Sequence, residues 1–316
     1  MEKSSQISLG IVAAFAGIYV IWGTTYLAIA ISIQTLPPFI SGALRFLIAG
    51  TLMYAWLRWR SPQPFAAVNI PAAMLCGVLL AGIGNGLVIW AQQGIPSGIA
   101  ALIVTAMPVT VLVLDWAFFS KRAPTAQGLF GTAIALAGVV TIVMHTHSIT
   151  GSAEPLYLVA MIAAVVGWSI GTLWQKRSVR QDGVFGFTAA QMLFGGLFQF
   201  VLSVLDAEWQ TFDVSAVSLP SWLALLYLIV FGSIIGLNSY LWLLTRVSAA
   251  KVTTYALVNP VVALILGALV LDEEITTLIV ISTLLVLFGV SLVLFQNLGP
   301  AAFARVAKSL STGRSQ

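Results

Sequence analysis

Ten apolar runs, each near the ~20 residues that a helix needs to cross a bilayer, divide this chain of 316 residues. They cover 9–31, 38–58, 71–93, 96–118, 125–145, 155–175, 184–205, 220–244, 248–270 and 275–296. The charges between the runs fix their number. Lys3 precedes the first run, Arg58 and Arg60 close the second, and Lys121 and Arg122 follow the fourth. Lys176, Arg177 and Arg180 follow the sixth, Arg246 and Lys251 lie about the eighth connection, and Arg305, Lys308 and Arg314 follow the tenth. The alternate connections hold no Lys or Arg, yet carry Glu154, Asp206, Glu208, Asp213, Asp272, Glu273 and Glu274. Basic residues near span ends stay cytoplasmic, so both termini are expected in the cytoplasm. One missed or extra span would scatter the basic residues over both sides, so the alternation counts spans independently of hydropathy. An all-α membrane protein of ten transmembrane helices is expected.

Hydrophobic residues make up 59% of the chain and charged residues 8%, which excludes an ordinary soluble globular protein. The net charge of +4 sits at span edges rather than in a patch, so no nucleic-acid partner is implied. The longest connection, 206–219, is too short for a folded domain, so the chemistry must lie within the lipid bilayer. The first run is long enough to span and no small-residue cleavage site closes it, which argues against a removable signal peptide. Cys76 is the only cysteine, so no internal disulfide can form. Residues 297–316 are expected to form a cytoplasmic tail.

Sliding the chain against itself brings two halves, 9–145 and 155–296, into step. At an offset of 146, Trp22-Gly23 falls on Trp168-Ser169, and Arg45 through Gly50 falls on Gln191 through Gly196. At an offset of 152, Gly84 meets Gly236, Trp90 meets Trp242, and Pro108-Val109 meets Pro260-Val261. Chance apolar similarity does not hold Trp, Gly and Pro in register. Each copy has five spans, an odd number, so the second copy enters from the opposite side and the repeats should be inverted. Inverted repeats are a signature of alternating-access transporters, with the site at their interface near the bilayer midplane.

Several strings, taken in order, point to a family. They are Ile21-Trp22-Gly23-Thr24-Thr25-Tyr26, Pro37-Pro38 followed by Arg45-Phe46-Leu47-Ile48-Ala49-Gly50, Gly84-Asn85-Gly86, and Pro96-Ser97-Gly98-Ile99-Ala100-Ala101. The second half adds Phe231-Gly232-Ser233-Ile234-Ile235 and Tyr255-Ala256-Leu257-Val258-Asn259-Pro260-Val261-Val262. Over about residues 10–295 the chain resembles the EamA-type members of the drug/metabolite transporter superfamily. The resemblance implies two five-helix repeats, residence in a bacterial inner membrane, and export of metabolites or amino acids. It also implies that spans one to four and six to nine enclose the cavity, with five and ten peripheral. Where the second half has Glu273 and Glu274 after its proline span, the first half has Lys121-Arg122, as expected when the matching connections face opposite sides.

Polar and unusual residues at membrane depth are the site candidates. Arg45 is the one basic residue well inside a span. A guanidinium costs at least ~2.5 kcal/mol at a helix centre facing lipid, so it must face protein or water. Two roles fit it: bracing carbonyls of a neighbouring helix, or attracting a carboxylate on cargo. Pro108 and Pro260 sit mid-span in the fourth helix of each repeat, where proline removes a backbone donor and can frame a cavity or serve as a moving bend. Asn259 and Tyr255 lie beside Pro260 on one face. Trp22 and Trp168 lie mid-span, whereas interfacial anchoring explains most other tryptophans; filling space and stacking on cargo both fit them. Asn85 and Asn238 can join helices or line the path. Asp115 reads as a solvated acid near a span end. His145 and His147 read as loop imidazoles, too poorly accompanied for a metal site, and no cofactor is implied.

The sequence lacks His-Glu-x-x-His, Gly-x-Ser-x-Gly and the phosphate-cradling Gly-rich loop, and it places no paired carboxylates at membrane depth. An enzyme is therefore not expected. An exporter of small amphipathic metabolites, amino acids or related compounds fits better, acting on a small-molecule substrate; the sequence is compatible with a monomer and leaves the oligomeric state open. An intramembrane enzyme or a lipid flippase is the alternative. No mid-membrane acid marks a proton relay, so the energy source stays open.

Overall fold

A computed structural model describes residues 9–121, 123–150, 155–247, 252 and 254–296. Lys3, Arg122, Glu154, Lys251, the tail at 297–316 and the side chains of His145 and His147 lie outside the described residues. Ten principal helices follow one another: α1 (Leu9–Ser32), α2 (Pro38–Arg60), α3 (Ile70–Ala91), α4 (Ser97–Phe119), α5 (Ala126–Thr150), α6 (Pro155–Ser178), α7 (Val184–Leu205), α8 (Leu219–Leu244), α9 (Tyr255–Leu271) and α10 (Thr277–Leu294). Among the described residues there is no strand. Nine helices among the described residues are long and apolar enough to cross a membrane, and α9, with 17 described residues, is shorter. One boundary differs from the sequence expectation: α5 runs to Thr150, so His145 and His147 sit on a helix rather than a loop.

Local sequence sets the helix starts. Asn69, Ser218 and Thr276 each accept a hydrogen bond from the backbone N–H three residues on, filling one of the donors a helix start leaves open. Proline occupies the first turn of α2, α3 and α8, where its missing N–H is not needed. Both α3 and α8 carry a widened, π-helical stretch, at Gly77–Asn85 and Leu228–Leu237. A shift of 152 superposes the two almost residue for residue, the register that also aligns Gly84 with Gly236. α4 is interrupted by a turn at Thr105–Ala106. Pro108 lies in the first turn of its second segment, while Pro260 lies inside unbroken α9.

Equivalent helices of the two halves pack on each other: α2 on α7, α4 on α9, and α5 on α10. The acidic connections meet at one end of the bundle, where the Thr35 hydroxyl donates to Ser221 Oγ at 2.8 Å. Here two carboxylates cap helix starts across the halves. Glu208 accepts from Phe39 N at 2.9 Å and Ile40 N at 2.7 Å. Glu273 accepts from Ser97 N at 2.7 Å and Gly98 N at 3.0 Å. Burial pushes the Glu208 carboxyl upward from the usual carboxylate range, and its two backbone bonds only partly pull it back. At the basic end Arg177 lies over the Phe119 ring at 4.6 Å. Among the described residues no carboxylate there caps a helix start.

Candidate transport cavity

The two halves meet around a small central cavity of about 50 Å³. Six of the residues singled out from the sequence line it: Trp22, Arg45, Asn85, Trp168, Tyr255 and Asn259. They come from α1, α2, α3, α6 and α9, so both halves contribute. Thr25, Tyr26 and Gly232 complete the polar and aromatic wall. Among the described residues no Asp or Glu lines the cavity.

Aromatic rings build its shape. The Trp22 ring lies 4.9 Å from Tyr255 and 6.1 Å from Trp168, in both cases edge to face, and 5.1 Å from Tyr240. Such edge contacts suit the ring quadrupoles. Each tryptophan rests on a glycine of the other half. A Cβ on Gly84 would come within 2.8 Å of Trp168 Cε3, and one on Gly236 within 2.5 Å of Trp22 Nε1. These two glycines are required by the close approach of the indoles.

Arg45 supplies the fixed charge. It is 4% exposed, its Nε donates to Ser233 Oγ at 2.8 Å, and its guanidinium lies 4.7 Å from the Phe46 ring centre. Among the described residues its Nη1 has no hydrogen-bond partner, and neither has Trp168 Nε1. Trp22 Nε1, by contrast, donates to Gly232 O at 3.3 Å. Two buried donors are therefore left over in a pocket with one positive charge, an arrangement that favours an acceptor-bearing, anionic group. Turned with its amide nitrogen toward α1, Asn259 donates to Tyr19 O at 3.2 Å and Tyr255 O at 3.1 Å. Tyr255 Oη donates to Met107 Sδ at 3.7 Å, and Asn85 Nδ2 donates to Leu80 O at 3.3 Å.

The remaining candidates lie elsewhere. Asn238 donates to Met53 Sδ at 3.0 Å and Ile234 O at 2.6 Å, and lines shallow clefts on the far side of α8. Pro260 is buried next to Asn259, whereas Pro108 lines a larger cavity of about 440 Å³ at the basic end. Asp115, Lys176 and Arg177 line that same cavity. Gln191, the repeat counterpart of Arg45, accepts from Gln175 Nε2 at 2.5 Å. A third opening, about 330 Å³, lies at the acidic end beside Gln92, Ser97 and Glu273. No group of three His, Cys, Asp or Glu residues that could hold a metal occurs among the described residues.

Sequence reasoning passed over Ser233, Tyr240 and Tyr26. A signal existed for Tyr26, which lies four residues after Trp22 and hence on its helix face. Ser233 gave none, because its role depends on Arg45, 188 residues away in sequence.

Comparisons with known proteins agree with this architecture. The model of the EamA-like transporter family matches residues 7–144 and again 155–295. The "Uncharacterized inner membrane transporter YedA" of Escherichia coli (strain K12) is 34% identical over 286 residues, covering 90% of each chain. The "Probable amino-acid metabolite efflux pump" of Salmonella typhimurium is 24% identical, over 88% of this chain and 92% of that one. A solved structure titled "Crystal structure of protein" shares the fold, with a TM-score of 0.63 at 18% identity, covering 96% of this chain and 99% of the other.

Proposed function

The chain belongs to the EamA-like transporter family, and from that premise we propose that it is a secondary transporter of the inner membrane. It exports small amphipathic metabolites, amino acids or related compounds by alternating access. The observation that carries this reading is the central cavity. Trp22, Tyr255 and Trp168 offer ring faces there, and Arg45 Nη1 and Trp168 Nε1 are donors without partners among the described residues. A cargo with a flat apolar part and a carboxylate meets both features. The efflux pumps among the relatives support the direction and the amino-acid guess.

In this reading all ten helices cross the membrane, the halves 9–145 and 155–296 are inverted, and both termini are cytoplasmic. The wider basic-end cavity then opens toward the cytoplasm, and the acidic-end opening, lined by a different set of residues from the central cavity, faces the other side. Cysteines at Ser61 and Thr35 test the topology: they should react with an impermeant thiol reagent from opposite sides, and labelling from one side refutes it.

Function is tested by counterflow. Purified protein in proteoliposomes, preloaded with an unlabelled amino acid or aromatic carboxylate, should accumulate the labelled compound transiently and return it chemically intact. No counterflow across a panel of amino acids, carboxylates and amines would end the cargo reading. Recovery of a covalently changed compound would indicate an enzyme instead.

A further inference from the structure

Two carboxylates at the acidic end do the same chemical job for helix pairs of different kinds. Glu208 ties the start of α2 to the end of α7, and these helices touch along their whole length. Below the Glu208 bonds, Gly42 faces Gln199, Gly50 faces Leu193, and at the far end Trp56 lies 5.8 Å from Phe185. Glu273 ties the start of α4 to the end of α9. Here the contact among the described residues runs from Gly98 and Leu264 to Met107 and Tyr255, with which the described part of α9 begins. Beyond the turn at Thr105–Ala106, the second segment of α4 leans on α6 and α10 and borders the basic-end cavity. The Glu273 tie thus holds a jointed segment, Ser97–Val104, to its neighbour.

That segment also separates two spaces. Ile29 of α1, Val104 of α4 and Asn259 of α9 line the central cavity. Ala30, Ile99 and Leu264, nearer the acidic end on the same three helices, line the acidic-end opening. A small swing of Ser97–Val104 away from α9 would join them. We propose that Glu273 is the latch on the passage from the central cavity to the acidic end, and that Glu208 is a permanent brace. This deepens the transporter reading above and rests on it for the meaning of the passage, though not for its existence.

Local geometry equips Glu273 for this. Asp272 adopts a left-handed conformation, φ 54°, which ends α9 and turns the next side chain back toward α4. Gly267 leaves the space the carboxylate fills: a Cβ there would lie 2.8 Å from Glu273 Cδ and 2.9 Å from Ser97 Oγ. Each carboxylate oxygen takes one N–H. Glutamine offers one oxygen and turns an NH₂ toward the second donor, so Glu273→Gln loses the charge and one bond together.

The test places a reporter cysteine at Val104 and applies an impermeant maleimide on the side where Thr35→Cys reacts. Buried Cys76 is the background, which should stay unlabelled. Glu273→Gln should raise the labelling rate about tenfold, equivalent to ~1.4 kcal/mol in the opening equilibrium. Gly267→Ala, which displaces the carboxylate without removing its charge, should do the same. Glu208→Gln should leave the rate within about twofold and lower the melting temperature instead. The proposal is overturned if Glu208→Gln raises labelling as much as Glu273→Gln. It is equally overturned if both Glu273→Gln and Gly267→Ala fold and label at the parent rate, or if neither folds, since a latch is dispensable for folding and a brace is not. The readout needs no cargo, so failed counterflow with raised labelling would remove the cargo reading and leave the latch.

Discussion

Trp22 and Trp168 hold matching positions in the two halves, and each rests on the matching glycine of the opposite half, Gly236 or Gly84. Their polar surroundings differ. Trp22 Nε1 donates to Gly232 O, whereas Trp168 Nε1 has no partner among the described residues. The same contrast separates Arg45, charged and with a free Nη1, from its counterpart Gln191, which is paired with Gln175. The shape of the site is duplicated and its polarity is not. Packing survives duplication because each indole needs the same hollow. Polarity is free to diverge, and here the first half supplies the charge while the second leaves a donor open.

The packing side of this comparison carries the largest expected effects. Gly84→Ala and Gly236→Ala should each destabilise the protein by about 1–3 kcal/mol, because the added methyl meets an indole with no room to yield. Melting temperature in detergent checks this, and a harmless substitution at either glycine would show that the two hollows are not equivalent. Ser233→Ala comes next. It strips Arg45 Nε of its acceptor, a bond to a charged group worth about 1.5–3 kcal/mol, and should lower both stability and cargo affinity. Trp22→Phe should cost about 1 kcal/mol by orphaning Gly232 O, while Trp168→Phe should be near neutral for stability and weaken only carboxylate binding. Equal melting temperatures for these two variants would erase the polar asymmetry. The smallest effect is expected from Pro260→Ala, which restores a backbone donor in α9; turnover should slow by a few-fold with little change in half-saturation.

The duplication and the central cavity were legible in the sequence because Trp22, Gly84, Pro108 and their counterparts carry geometry that apolar residues do not. Arg45 was legible because a lone charge inside an apolar run must be accommodated. Asn238 was legible as a polar group that joins helices or lines the path, but its partner Met53 was not. It follows the π-helical stretch Leu228–Leu237, and one added residue turns the following face by about 100°, here toward Met53. Nothing in hydropathy signals such a stretch. The carboxylate caps were equally hidden, since Glu208 and Phe39 meet only once α2 and α7 have packed.

The account turns on Arg45 reading an anionic group, and counterflow by Arg45→Gln tests it most directly. Glutamine is what the second half carries at this position, so the substitution makes the two halves alike. With normal protein in the membrane, transport of an aromatic carboxylate should fall by at least about tenfold, the loss expected for a charge-assisted bond. Transport of a matched aromatic amine should hold or rise. Equal loss for both cargoes, or no loss for either, would make Arg45 a structural brace and contradict the account.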